Sequence, residues 1–453
     1  MSVPVIAEEL AKRSRPAPAT LPAGVRETAE RLMLDIGGLC IAARREPYVE
    51  AALGSWDAQG PCTALGHARG LDAAGAAFVN GTAAHGEDFD DTFEGGPVHA
   101  GVVIVPALLA AAQRHGFGGD RLLLGIAVGC EVMCRASLVA PKRIHKAGFH
   151  PTAVLGAMGA AAGVAAALDC DDATFASAQG IAGSMAGGII EYLAEGTWTK
   201  RMHPGWAAQS GLRAVALARA GFVGPRTVWE GTHGVLHGFA NTTEGAWERL
   251  LDGFGERWVM ETIAFKPYPC GTMIHPYIDC ARRLEAQGIA ADSILRITCG
   301  TAEGIVHRLW EPLAAKQRPP NGYAAKFSVP YCVSHAILHG DVGLDAFTDA
   351  AARDPRTAAL AARVGYEVDP ANPYPDTFTG HLRVDIAGDR TVELRQPHFR
   401  GGHEEPLSRE DLEAKFRGNA RFGGWDAAAA GRWIAFARQA FDAPAIDLGG
   451  FRA

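Results

Sequence analysis

The chain has 453 residues, 48% of them hydrophobic and 21% charged, so it can bury a large core and divide into more than one lobe. A formal charge of -7, a pI near 6.2 and the lack of any Lys/Arg run with interleaved aromatics exclude a general affinity for nucleic acid. Any anionic ligand must therefore be met by local groups.

The nine cysteines are scattered without a C-x-x-C pair and read as buried thiols in a reducing compartment. Cys130 and Cys134 share a helix face, but no His or third Cys close by completes a zinc set. The N-terminal stretch MSVPVIAEELAKRSRP carries acids inside its one apolar segment, so no signal peptide is expected. The uncharged run Pro151 to Leu168 is mostly Ala and Gly, too short and weakly apolar to span a bilayer, which needs about 20 strongly apolar residues. A cytoplasmic location, with no membrane partner, is the expectation.

In chain order, apolar positions Val25, Ala29, Leu32, Met33, Ile36 and Cys40 recur at three and four and predict a helix from Val25 to Ala43. A second helix is predicted from Asp72 to about His85. The apolar segment after it contains Pro106, so its helix starts near that proline or kinks there, and Gly116, Gly118 and Gly119 close it. Asp120 is the expected N-cap of a helix from Arg121 to Val139. Further helices are predicted at Pro151 to Leu168, Ala173 to Met185 and Ala207 to Ala218, the last preceded by a polar turn from Thr197 to His203.

After Lys266 the pattern changes. Ser293 to Cys299 is strand-like, and Leu382 to Leu394 reads as two strands around a Gly388-Asp389 turn. Helices are expected at His275 to Ala286, Val329 to Leu338 and Leu344 to Val364. Ser408 to Asp411 resembles a capping box opening a helical tail to Ala440, interrupted at Gly423-Gly424. The fold class is mainly α with a smaller α+β domain: a helical domain from residues 1–266 and 398–453, with an α+β domain from residues 267–397 inserted.

The chemistry concentrates between Asn80 and Leu109, where His85, Glu87, Asp88, Asp90, Asp91 and His99 precede a buried helix. Carboxylates and imidazoles beside an apolar interior suit proton transfer, metal binding or a structural ion network, and spacing does not choose among them. His150 stands before an apolar helix, where N–H groups favour a nearby anion, and Lys142, Arg143, His145 and Lys146 form a basic loop. Lys200 sits in the polar turn beside Arg201. Lys266 is held between aromatics and prolines where the two lobes join, a common place for ligand sites. No G-x-x-x-x-G-K-S/T and no strand-linked G-x-G-x-x-G is present, so nucleotide cofactors have no support.

H-x-x-D-F-D-D-T at His85 to Thr92, G-F-H-P-T-A at Gly148 to Ala153, G-T-W-T-K at Gly196 to Lys200, A-F-K-P-Y-P-C at Ala264 to Cys270 and L-S-x-x-D-L-E-A-K-F at Leu407 to Phe416 together resemble the MmgE/PrpD family. That family includes 2-methylcitrate dehydratase, cis-aconitate decarboxylase and iminodisuccinate epimerase. The resemblance implies a homodimer, a helical domain built from both chain ends with an α+β lid, and an enzyme working without metal or organic cofactor. Carried over by position, it implies Asp88 and Thr92 as substrate-binding and His99, His150, Lys200, Lys266 and Tyr331 as catalytic residues. The loop Phe93 to Val98 and the pair His99-Ala100 depart from the decarboxylase pattern and leave dehydration and epimerisation open.

These activities share proton transfer at a carbon beside a carboxylate, which needs cations on the carboxylates and an acid-base group near the carbon. The lysines and imidazoles fill those roles. On this reading Asp88 orients or charges a histidine, Thr92 binds a substrate oxygen and Tyr331 donates a hydrogen bond or proton. The expectation is a lyase, dehydratase or decarboxylase, acting on a small di- or tricarboxylate, with an epimerase of a substituted dicarboxylate as the alternative. The rival from another class is a metal-dependent helical hydrolase with His85, Asp88, Asp91 and His99 as ligands. A non-catalytic helical scaffold is the third reading.

Overall fold

A computed structural model describes residues 4–452. It divides into two units: one runs to Ala264 and resumes at Leu412, the other spans Phe265–Asp411. The predicted boundaries of 267 and 397 lie two and fourteen residues away. The larger difference arises because the segment after Gln396 stays tied to the second unit. There Gly401 O accepts from Phe265 N at 2.9 Å, and Gln396 Nε2 donates to Glu405 Oε2 at 2.6 Å.

The first unit is helical. Its main helices are α1 (Ala23–Ala43), α2 (Ala73–His85), α3 (Gly101–His115), α4 (Gly119–Val139), α5 (Pro151–Ala167), α6 (Asp172–Met185) and α7 (Thr199–Arg219). Asp72 caps α2 by accepting from Gly75 N at 2.8 Å, and Asp171 caps α6 from Thr174 N at 2.7 Å. Every residue of α5 is buried, and α4, long and apolar enough to cross a membrane, is likewise packed inside this unit. Small residues make this density possible. An added Cβ at Gly205 of α7 would lie 2.1 Å from the Phe78 carbonyl of α2, and one at Gly81 would lie 2.7 Å from Gly205 Cα. That crossing brings the ends of α2 and α7 together, and both carry site residues.

Three local expectations differ from the structure. Helix α3 does not start at Pro106 but runs through it, from Gly101 to His115. The carbonyl that a proline in this position leaves unpaired is that of Val102, and it lies against Gly81, where a side chain would come within 3.0 Å. Helix α4 begins at Gly119 with Gly118 as N-cap, so Asp120 sits in the first turn instead of capping. Gly119 packs on the Ala440 carbonyl, where a Cβ would approach to 1.9 Å, and this close contact fixes the start. The polar turn from Thr197 to His203 is largely the opening of α7, which starts at Thr199 and carries Pro204 inside it, the cost of that proline being outweighed by the packing of α7 on α2 at Gly205.

In the second unit, α8 (His275–Ala286) and α9 (Val329–His339) pack with a mixed sheet of β1 (Ile294–Thr301), β2 (Val364–Val368), β3 (Gly380–Ile386) and β4 (Arg390–Gln396), in the order β2-β1-β3-β4. β1 runs parallel to β2 and antiparallel to β3. Leu382, Val384 and Ile386 alternate onto the buried face, and Gly388 (φ 87°) and Asp389 (φ 55°) make the turn into β4. The predicted helix Leu344 to Val364 is broken into short pieces, since Thr348 and Asp354 each cap a new turn and Pro355 follows. The tail forms α10 (Arg409–Phe422) and α11 (Ala427–Gln439). The Ser408 box is made: Asp411 N donates to Ser408 Oγ at 3.0 Å and Ser408 N to Asp411 Oδ2 at 3.2 Å. α11 seats Trp433 against Gly37 of α1, and Trp433 Nε1 donates to Met33 O at 3.3 Å.

Candidate active site

The loop leaving α2 turns sharply at Asp88, whose φ of 55° is unusual for a residue with a side chain and marks a constrained site. The Gly81–Gly205 crossing sets the start of α7 beside this loop, and Lys200 Nζ donates to Asp88 Oδ1. Asp88 was expected to orient a histidine; its charge instead faces a lysine. The orienting carboxylate is Asp90. Its Oδ2 lies 2.7 Å from His85 Nδ1 and 3.1 Å from His99 Nδ1.

His99 Nδ1 also lies 2.6 Å from the Asp91 carbonyl, which can only accept. That nitrogen therefore carries the proton, and Nε2 is left for chemistry. Thr92 Oγ1 is 3.5 Å from the same Nδ1, and His99 N donates to Thr152 Oγ1 of α5 at 3.2 Å. Burial pushes the Asp90 carboxyl up, but the His85 and His99 imidazoles outweigh it and hold the group well below the usual carboxylate range. The neighbouring Asp91 is driven the other way, up to about 7, by burial and then by the Asp90 charge, while its Oδ2 accepts from Gly101 N at 3.0 Å. Adjacent carboxyls held in different protonation states are a mark of acid-base sites.

His150, the residue before α5, stacks on His85 with ring centroids 5.6 Å apart, and its Nδ1 meets His203 Nδ1 of α7 at 3.2 Å. One of the two donates and the other accepts, so the acceptor is neutral. Burial first, then the His85 charge, keeps His150 well below the ordinary imidazole value and brings His203 down to about 4. His203, Tyr192, Met202 and Trp206 line a cavity of about 470 Å³, the scale of a small-molecule site.

These shifts set the pH dependence of stability. Between about pH 4 and 6.5 His203 is neutral in the fold and protonated in the unfolded chain, so stability rises with pH there and is lost on acidification. Asp91, protonated in the fold and ionised in the unfolded chain between about pH 4 and 7, acts with the opposite sign. His203→Gln should flatten the acid limb of a stability–pH curve and Asp91→Asn should steepen it. Urea titrations at a series of pH values measure both slopes, and an unchanged limb in both variants would refute the assignments.

Of the residues singled out in the sequence, Asp88, Thr92, His99, His150 and Lys200 come together in the first unit. Lys266 and Tyr331 belong to the second. Lys266 is its second residue and is buried. Tyr331, on α9, donates to Ala346 O at 2.5 Å, and burial pushes its hydroxyl above the usual range. Its proton is thus committed within the core of that unit. Three further contributors carry weak sequence signals: Asp90 is one acid in a cluster, His203 the end of a polar turn, and Lys415 part of a motif. Lys415 bonds the Phe89 carbonyl at 2.7 Å and Asp35 Oδ1 at 2.7 Å, with Nζ 4.0 Å from the Phe89 ring centroid. A lysine at helical spacing inside an apolar face, as in Leu412-x-x-Lys415-Phe416, is the signal for it.

The expected hydrolase ligand set does not assemble, because Asp88 turns to Lys200 and Asp91 to Gly101 N. The group that does converge is His85, Asp90 and His99, with one donor atom from each within 4.8 Å of the others. In this arrangement His85 Nδ1 and His99 Nδ1 both lie at hydrogen-bonding distance from Asp90 Oδ2, so the carboxylate is engaged between two imidazoles.

Comparison with known proteins gives this geometry a context. Residues 14–248 match the MmgE/PrpD N-terminal domain and residues 268–436 the MmgE/PrpD C-terminal domain. The chain belongs to the MmgE/PrpD family. Within it, the chain is 31% identical over 359 residues to the cis-aconitate decarboxylase of Mus musculus, covering 76% of this chain and 71% of that protein. The Homo sapiens cis-aconitate decarboxylase is 30% identical over 78% of this chain and 73% of its own length. A cis-aconitate decarboxylase-like protein of Aspergillus oryzae is 28% identical over 88% and 87%. This MmgE/PrpD protein is accordingly related to lyases that act on a tricarboxylate.

Proposed function

We propose that this protein is a decarboxylase of a small unsaturated tricarboxylate of the cis-aconitate type. The observation that carries the reading is Asp90 shared by two imidazoles next to the Asp88–Lys200 pair. Direct loss of carbon dioxide from an alkene carbon would leave an unstabilised vinyl anion. Loss from the allylic methylene, with a proton arriving at the far alkene carbon, moves the double bond and avoids that anion. His99, its Nδ1–H held by Asp90 and the Asp91 carbonyl, delivers the proton from Nε2 as an imidazolium that Asp90 stabilises. Lys200 binds a retained carboxylate, Thr92 a substrate oxygen, and His150 donates a hydrogen bond. These roles need no metal or organic cofactor.

The chemistry is read directly by running the reaction in deuterium oxide with cis-aconitate. The expected result is one carbon dioxide released and one solvent deuteron on carbon per turnover, followed by NMR and mass spectrometry. Water loss or hydration without carbon dioxide would replace the reading by a dehydratase, and inversion of a centre with exchange, on a substituted dicarboxylate, by an epimerase.

The protein is also proposed to be a homodimer. Ile189, Leu193, Trp198 and Trp206 lie between 45% and 63% exposed within one short segment of the first unit, a patch that a second copy would cover. Sedimentation velocity at micromolar concentration should give twice the 47.7 kDa chain mass, and Trp198→Glu should shift it toward the monomer. A monomeric wild-type protein would dismiss this assembly.

A further inference from the structure

Beyond the candidate active site, the end of α1 runs into Arg44 and Arg45. With Arg69, His67 and Glu50 they line a cavity of about 460 Å³ in the first unit. Arg44 is only 8% exposed. Its Nε donates to the Gly423 carbonyl at 2.7 Å and its Nη1 to the Gly66 carbonyl at 3.2 Å. Arg69 reaches the Leu53 carbonyl at 3.2 Å and the Asp57 carbonyl at 3.3 Å. Two arginines thus satisfy carbonyls near helix ends, which explains part of their placement but neutralises no charge. Among the described residues no carboxylate lies within ion-pair distance of any of the three guanidiniums, and Glu50 is the one acid of the lining.

The space between these cations is specific. Gly424 has φ 81°, and a Cβ there would stand 3.4 Å from Arg45 Nη1 and 3.5 Å from Arg44 Nη2. The two guanidiniums thus converge beside the glycine that ends the turn after α10. Burial and then its neighbour Arg45 hold Arg44 below the ordinary arginine value, and burial and then Arg44 do the same to His67. Arg44, a buried cation beside a second guanidinium, gains from a counter-ion.

We propose that this cavity binds a small multivalent oxyanion, a phosphate or a polycarboxylate, clamped between Arg44 and Arg45 with Arg69 and His67 on its outer side. Planar guanidiniums suit such oxygens because each can donate two parallel N–H bonds. The proposal is independent of the reaction assigned above. It is tested by calorimetric titration of the full chain with inorganic phosphate and, separately, with citrate, in wild type, Arg45→Gln, Arg69→Gln and Lys200→Met proteins. Arg45 is exposed, so Arg45→Gln should melt with the wild type. The expected result is one anion per chain at this cavity, bound roughly tenfold or more weakly in Arg45→Gln and Arg69→Gln and normally in Lys200→Met, any further citrate equivalent that Lys200→Met removes being that of the candidate active site. Binding of phosphate alone identifies the ligand as a phosphate, and binding of citrate with the same variant pattern identifies a polycarboxylate. Absence of binding by both anions, affinity indifferent to Arg45 and Arg69, or all binding lost in Lys200→Met would overturn the site.

Discussion

Asp90→Asn protein should fold and lose roughly 10²- to 10⁴-fold in kcat, the scale seen when a buried carboxylate that sets a histidine tautomer becomes an amide. The amide keeps the volume but removes the charge that Asp90 places against both His85 Nδ1 and His99 Nδ1. His99 then loses the partner that stabilises its imidazolium. KM should change far less than kcat, because Asp90 is fully buried and reaches substrate only through the imidazoles. The measurement is kcat and KM for cis-aconitate with a pH profile. Near-normal turnover, or a loss confined to KM, would remove Asp90 from the proton path and the acid role of His99 with it.

Lys415→Met should destabilise the protein by about 3–5 kcal/mol, the cost of breaking a buried ion pair by removing one partner. The side chains of Lys415 and Asp35 are 4% and 1% exposed, so a carboxylate that α1 carries into the core loses its lysine. The same ammonium holds the Phe89 carbonyl, so the loop from Asp88 to Asp91 should loosen and activity fall in the surviving folded protein. Urea unfolding measures the first effect. Adding Asp35→Leu should recover much of the stability, since an apolar pair of similar volume avoids the desolvation cost, but should not restore activity. A single variant within 1 kcal/mol of wild type would mean that water or another group replaces the lysine.

Much of the helical unit was legible because its signals are local. Asp72 and Asp171 announce helix starts by their own side chains, Gly116 announces an end, and the period-two pattern from Leu382 to Leu394 gives the hairpin with its turn. The errors share one cause. Pro106, Gly119 and Pro204 each carry a local rule that tertiary contact outweighs: Val102 O finds its place against Gly81, Gly119 is pinned by the Ala440 carbonyl, and α7 is held on α2 at Gly205. The Leu344 to Val364 segment failed in reverse, its apolar residues masking two capping side chains that restart the chain.

By itself the sequence determined which residues could do chemistry, since carboxylates, imidazoles and lysines must be encoded, and its ordered motifs carried the family. It could not determine which carboxylate does what. Asp88, Asp90 and Asp91 are near neighbours of one chemical type, yet one faces a lysine, one joins two imidazoles and one is pushed up to about 7. That division depends on the positive φ at Asp88, on the approach of α2 to α7 at a pair of glycines, and on Lys415 arriving from the far end of the chain. Only the tertiary structure decided it, because the protonation of a buried carboxyl is set by the charges and dipoles within a few ångströms of it, and those come from segments far apart in the sequence.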